Sequence, residues 1–320
     1  MTQDPEILGG DAEIERRVAT RGDGPPDPLR EPVISFASND WYSHRHILNR
    51  FVGLKDVRTR INGRLQHGWQ TCCGFEGEQG RKPEVLASRC PAYVWSKRNQ
   101  KRASEEGMDW AQAIGAPFFY MGWPEDPATF APLGSGLLVF PYHSVPSDAY
   151  VVDGWAEWAR KLRKFATEIG FDRTQAPVTV CFHPFDWHQR RCLSGLGIRA
   201  TCIGSPTCDD YLKRCAELIG SHAMVLSDRV CTAGFYAMWL RREWMVGGPK
   251  LYSIPKALHE DRYADRRWIH RNFPGVLRGA AHVGIAETQL GLDCMRTRQE
   301  LRETLYAWLP DEAFLDAGVI

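Results

Sequence analysis

Six short segments of this chain carry polar, small or titratable residues where a buried core needs none. They are Asn39-Asp40, His67-Gly68, His143-Ser144, His183-Pro184-Phe185-Asp186, Ser227-Asp228 and Gly247-Gly248. An imidazole titrates near neutral pH, so His67 suits a general base, and the glycine beside it lets a substrate come close. Asp40 is the competing base, with a second reading as the N-cap of the helix behind it. His183 can donate to a phosphate, presented by a turn that Pro184 fixes. Asp186 would orient that loop or cap it. Ser227, Asp228 and Arg229 lead into Thr232, which opens a helical stretch. Arg229 can grip a diphosphate with two parallel N–H groups, and a helix start offers unpaired N–H groups and a favourable dipole to an anion. His143 and Ser144 would face the same space. A proton acceptor opposite a set of phosphate stabilisers suits transfer of a group from a phosphate to a hydroxyl.

These segments need a scaffold, and the hydrophobic pattern supplies one. Short apolar runs over 33–38, 57–65, 91–95, 117–121, 137–142, 178–182, 198–203, 223–226 and 244–246 read as buried strands. Helical patterns lie between them at 46–52, 96–106, 149–169, 209–219 and 231–240, with a terminal helical region over 290–309. Ser96 is the expected N-cap of the second helix and Gly107 its stop. Asp209 caps the fourth and Gly220 closes it. Alternating strands and helices predict an α/β fold of two Rossmann-like parallel-sheet domains facing a cleft. In such sheets ligands bind beyond the carboxyl ends of the strands, where most of the polar segments fall.

The domain reading follows from punctuation. Residues 1–30, broken by Gly22, Gly24, Pro25, Pro26 and Pro28, read as a disordered tail. Residues 31–125 read as an N-terminal Rossmann-like domain. A Pro- and Gly-rich stretch over 122–135 reads as the linker, and 136–320 as a C-terminal Rossmann-like domain with terminal helices.

The chain has 320 residues, 43% hydrophobic and 25% charged, enough for two domains at about 100–200 residues each. A net charge of +1 gives no global attraction to nucleic acid. The basic run Lys97, Arg98, Lys101 and Arg102 has helical spacing and reads as a solvated face. No stretch is long and apolar enough to span a membrane, and the first residues lack a secretory pattern, so a cytoplasmic protein is expected. The ten cysteines contain no C-x-x-C pair, and Cys202, Cys208 and Cys215 have no zinc-framework spacing. They are expected to be reduced, small and buried. His44-x-His46 with His188 is too sparse for a metal site, so no metal or resident cofactor is expected. A dinucleotide fingerprint after a strand is absent, as are the Walker, H-E-x-x-H and G-x-S-x-G motifs.

The order His67-Gly68, then His183-Pro184 with Asp186, then Ser227-Asp228 with Thr232 resembles the GT-B glycosyltransferases of bacterial surface-polymer synthesis. Its layout is similar to that of the CDP-glycerol glycerophosphotransferases of teichoic-acid assembly. The His-Pro element is similar to that of bacterial sialyltransferases and polysialyltransferases. The resemblance covers roughly residues 33–250. Here Trp69-Gln70-Thr71-Cys72 follows the His-Gly pair where the teichoic-acid enzymes usually carry a lysine. The resemblance implies a transferase that takes a sugar or polyol phosphate from a UDP, CDP or CMP donor to a hydroxyl acceptor. His67 or Asp40 would then be the base. His143, Ser144, His183, Asp186, Ser227, Asp228, Arg229 and Thr232 would hold the donor. A non-catalytic nucleotide- or carbohydrate-binding protein and a sugar-nucleotide epimerase are the competing expectations.

Overall fold

The computed structural model describes residues 35–69, 89–132, 134–143, 154–171, 176–251, 276–277 and 279–315. The expected tail and Ser144 lie outside them. The first half contains α1 (His44–Val52), β1 (Arg64–Leu65), β2 (Ala92–Val94), α2 (Lys97–Glu105) and β3 (Gln112–Ala113). The strands form a parallel sheet in the order β1-β2-β3. The second half contains β4 (Leu137–Phe140), α3 (Trp155–Glu168), β5 (Val178–Phe182), β6 (Ile198–Cys202), α4 (Tyr211–Gly220), β7 (Met224–Ser227), α5 (Thr232–Trp239), β8 (Glu243–Val246) and β9 (Val276–Leu277). Two more helices follow, α6 (Gly279–Leu290) and α7 (Arg298–Tyr306).

The second sheet runs β6-β5-β4-β7-β8-β9, with all neighbours parallel except β8 and β9. Counted from β4, this is the 3-2-1-4-5-6 order of a Rossmann sheet, and its direction of winding reverses between β4 and β7. Burial on both faces follows from the strand period. Leu137, Val139, Val178, Val180 and Leu226 point into one apolar cluster with Trp155, Trp158 and Leu162 of α3. The intervening Leu138, Cys181 and Val225 point the other way, into a cluster with α4 and α5. Gly234 lets α5 lie on the sheet, since a Cβ there would sit 2.0 Å from the Trp244 ring.

The same second cluster continues into the first half through Leu65, Tyr93, Trp95 and Phe118. Phe118 stacks on Tyr236 of α5 with ring centres 4.0 Å apart and planes 7° apart. The expected linker is pinned as well. The buried Arg242 guanidinium donates to the carbonyls of Ala128, Ala131 and Gly220. Among the described residues, no helix is long and apolar enough to cross a membrane.

Several expected elements differ. In the run over 33–38, Ser35 makes a single bridge, to Gly63, and Ala37–Ser43 is 3-10 helix. Beyond that bridge a side chain makes the link: Asn39 Nδ2 donates to Gly63 O (2.8 Å), and its Oδ1 accepts from Leu65 N (2.9 Å). The run over 57–65 is strand only at its last two residues. Residues Pro117–Tyr120 form a 3-10 turn, not a strand; Pro117 has no N–H for a ladder, and all four side chains are buried. The strand in that place is β3, just upstream. The terminal helical region breaks at Gly291, which has φ +76 and where a Cβ would sit 1.9 Å from Trp95 O. Helix α7 then starts with a capping box between Thr297 and Glu300. Ser96 caps α2 as expected, its hydroxyl accepting from Asn99 N. Asp209 does not cap α4; it pairs with His46 Nε2 at 3.4 Å. No disulfide joins the eight described cysteines, and four of them are buried.

Candidate functional site

His67-Gly68 leaves β1 on a turn that the buried Gln66 holds from inside. Gln66 Nε2 donates to Gly68 O (2.8 Å), and its Oε1 accepts from Trp95 N (2.9 Å). The turn then meets the second half. Trp69 N donates to Thr232 Oγ1 at 2.9 Å, and a Cβ on Gly68 would sit 3.5 Å from the same oxygen. Trp69 Nε1 and Arg98 both donate to Gln289 Oε1 of α6, which locks the segment from the other side. The His-Gly turn therefore lies against the first residue of α5, at the helix end where backbone N–H groups outnumber their partners; of these, Gly234 N donates back to Cys231 O at 3.1 Å.

His67 is enclosed by aromatic rings. Tyr42 stacks over it at 6.1 Å, and Trp41 meets it edge-on at 5.5 Å. Burial, and secondarily Arg64, push its pKa down to about 4, so it is neutral at pH 7. Behind Tyr42 lies His44, fully buried, with neither ring nitrogen hydrogen-bonded; burial holds its pKa at about 3. Tyr42 and Ser43 both carry positive φ, 58° and 62°, which non-glycine residues rarely adopt. The second half holds this strained pair in place: Tyr42 N donates to Pro206 O, and Ser43 Oγ accepts from Leu212 N (3.0 Å). Tyr42 also packs on Tyr211, and burial raises its phenol to about 12 against the opposing field of Arg229.

Arg229 connects this group to the ends of the central strands. Its guanidinium lies 4.0 Å over the Tyr142 ring. Tyr142 stacks with His143, and His143 with His183 at 4.4 Å and 16°. Burial, then His143, lower the His183 pKa to about 3. These residues follow β4, β5 and β7, around the point where the winding of the sheet reverses, which is where open α/β sheets hold their ligands.

No protein-family model matches the chain, and no curated protein matches it. The chemistry of the site follows from its own geometry.

The structure sorts the expected site residues. It sets the His67-Gly68 turn against Thr232, and separately lines up Arg229, His143 and His183 through Tyr142 beyond β4, β5 and β7. Asp40 is engaged elsewhere: its carboxylate pairs with Arg45 Nε, and Arg45 is held in turn by the Arg58 carbonyl. Ser227 is buried, donates to Arg229 O (2.7 Å) and accepts from Trp244 Nε1 (2.9 Å), so its hydroxyl shapes the turn. Asp186 is 2% exposed, and its amide closes the His183 turn onto His183 O. Burial raises the Asp228 pKa, opposed by Arg229 and by backbone hydrogen bonds from Tyr142 and Leu251. Gly247 extends the β7–β8 ladder by one residue, its amide bonding Ser227 O at 2.8 Å. Among the described residues, no three His, Cys, Asp or Glu side chains converge as metal ligands would.

Sequence reasoning did not find Tyr42, Gln66, Tyr142 or Tyr211. The available signal was the density of aromatic and polar residues in Trp41-Tyr42-Ser43-His44, more than a short helix start needs. Gln66 carries no such signal, because its role is visible only from the two carbonyl and amide groups it bridges.

Proposed function

We propose that this chain is a nucleotide-sugar-dependent glycosyltransferase of GT-B type, with the donor on the second half and the acceptor on the first. The observation that carries the reading is the contact of the His67-Gly68 turn with Thr232. It sets a neutral imidazole beside a helix start able to bind phosphate. Arg229, His143 and His183 supply further donors along the same strand ends. Thr232 accepts from Trp69 and keeps its own hydroxyl proton to donate.

The step is a displacement. The acceptor hydroxyl oxygen bonds to the anomeric carbon of the donor, or to phosphorus if a polyol phosphate is transferred. His67 takes the hydroxyl proton as that bond forms. The bond to the leaving nucleotide phosphate breaks, and its electron pair stays on the phosphate oxygen. Arg229, the histidine pair and the first N–H groups of α5 stabilise that charge. An anionic donor also raises the proton affinity of the nearby His67, improving it as a base. Trp41, exposed and edge-on to His67, offers a flat face to an acceptor sugar. Asp186, Ser227 and Asp228 hold the loops that present these groups. No resident cofactor enters this step; the donor is a co-substrate.

The test is incubation with a panel of UDP-, CDP- and CMP-sugars, followed by chromatography for the free nucleotide. Release through transfer or hydrolysis supports the reading. A nucleotide bound without release would place the chain among non-catalytic nucleotide-binding proteins.

A further inference from the structure

Among the described residues, Trp41 and Phe185 are the large hydrophobic side chains left exposed, at 38% and 49%. Phe185 is the more exposed, and its surroundings are ordered. It follows Pro184 at the start of the 3-10 segment Pro184–Leu193. Its own amide reaches His183 Nδ1 at 3.4 Å, and the next amide bonds His183 O at 2.9 Å. The next side chain, Asp186, is buried. The turn is thus fixed on both sides while one aromatic ring is turned outward.

That ring ends a ladder. Tyr142 and His143 stack at 6.3 Å and 19°, His143 and His183 at 4.4 Å and 16°, and His183 and Phe185 at 4.8 Å and 40°. The far end is covered by the Arg229 guanidinium. A row of planar groups that is capped by a cation at one end and open at the other can accept one more planar ring at the open end.

We propose that the outer face of Phe185 is the stacking platform for the nucleobase of a nucleotide. The phosphates of that nucleotide run back along the imidazole edges of His183 and His143 toward Arg229. This assignment rests on the donor reading above and adds the class of group recognised: a planar heterocycle held by its face. A benzene face reads no hydrogen-bond pattern, so affinity depends strongly on having a base and weakly on which base it is.

The experiment is calorimetric titration of the full chain with UDP, CDP, CMP and inorganic pyrophosphate, for the wild type, Phe185→Ala and Phe185→Tyr. Stacking on an aromatic side chain is typically worth about 1–3 kcal/mol. Phe185→Ala is therefore expected to weaken each nucleotide by about 5-fold to 150-fold. Pyrophosphate should bind as before, and Phe185→Tyr should restore the nucleotide affinity. Unchanged nucleotide affinity in Phe185→Ala overturns the platform and leaves the donor reading standing. An equal loss for pyrophosphate also overturns it, since Phe185 would then only hold the turn. A wild-type chain that binds none of the nucleotides overturns both.

Discussion

The backbone amide of Trp69 donates to the hydroxyl of Thr232 at 2.9 Å, joining residues 163 positions apart in the sequence. This bond fixes the His67-Gly68 turn of the first sheet against the first helical residue after β7. The hydroxyl is the group that makes the joint. Thr232→Val keeps the shape of the side chain and removes the hydroxyl acceptor of a partly buried N–H, at a cost of about 1–3 kcal/mol. Thermal or urea unfolding should register that loss, and turnover should fall with it. Thr232→Ser should retain both. Equal stability of Thr232→Val and wild type would mean that the bond does not hold the turn.

Neighbouring residues after β7 should separate by role. Ser227→Ala removes the acceptor of the buried Trp244 Nε1–H and is expected to cost about 1–3 kcal/mol of stability. Nucleotide affinity should fall less in a folded Ser227→Ala than in Arg229→Ala. Arg229→Ala removes an exposed guanidinium and should leave the melting temperature nearly unchanged. It should weaken UDP, CDP or CMP by about tenfold to a hundredfold, the usual scale for a charge-assisted hydrogen bond. A reversed pattern, with Arg229→Ala unstable and Ser227→Ala weak in binding, would exchange the two assignments.

Buried neutral histidines make stability depend on acid. Burial lowers the pKa of His44 to about 3, of His67 to about 4 and of His183 to about 3, from an ordinary value near 6.5. The unfolded chain therefore binds protons below pH 6.5 that the folded chain refuses. The stability tied to these groups is complete above pH 6.5 and drains away as pH falls toward 3–4. Denaturant midpoints should fall over that window, and His44→Phe should make the fall shallower. The same shift bears on catalysis. The kcat/KM profile should show no acid limb near 6.5 from His67, because the free protein holds that base neutral down to about 4. A limb near 6.5 that disappears in His67→Gln would show that the ring is solvated.

The centre of the second sheet was legible in the sequence because its strands are apolar runs buried on both faces, as 178–182 and 224–227 are, and alternation is not needed to see them. Strand order and the reversal between β4 and β7 were not legible; they depend on which strands pair across the sheet. The first half was harder to read. Its strands are two or three residues long, too short for a period to register, and the apolar run over 117–121 is a buried turn with the composition of a strand. Of the site, His67, His183, Arg229 and Thr232 were named from their positions after strands. Asp40 was named on the same grounds, but its carboxylate is taken by Arg45, five residues on in its own segment. The strained Tyr42-Ser43 pair was invisible because no residue type announces a positive φ outside glycine and asparagine.

His67 carries the central claim, since it alone among these groups is asked to accept the acceptor proton. The most direct measurement is single-turnover transfer by the wild type, His67→Ala and Asp40→Asn, with donor affinity determined separately for each. His67→Ala is expected to react about 10²–10⁴-fold more slowly while binding the donor almost as well, because the proposal puts the donor on the other half. Asp40→Asn should stay close to wild type. Near-normal transfer by His67→Ala beside an inactive Asp40→Asn would contradict this and give the proton to Asp40.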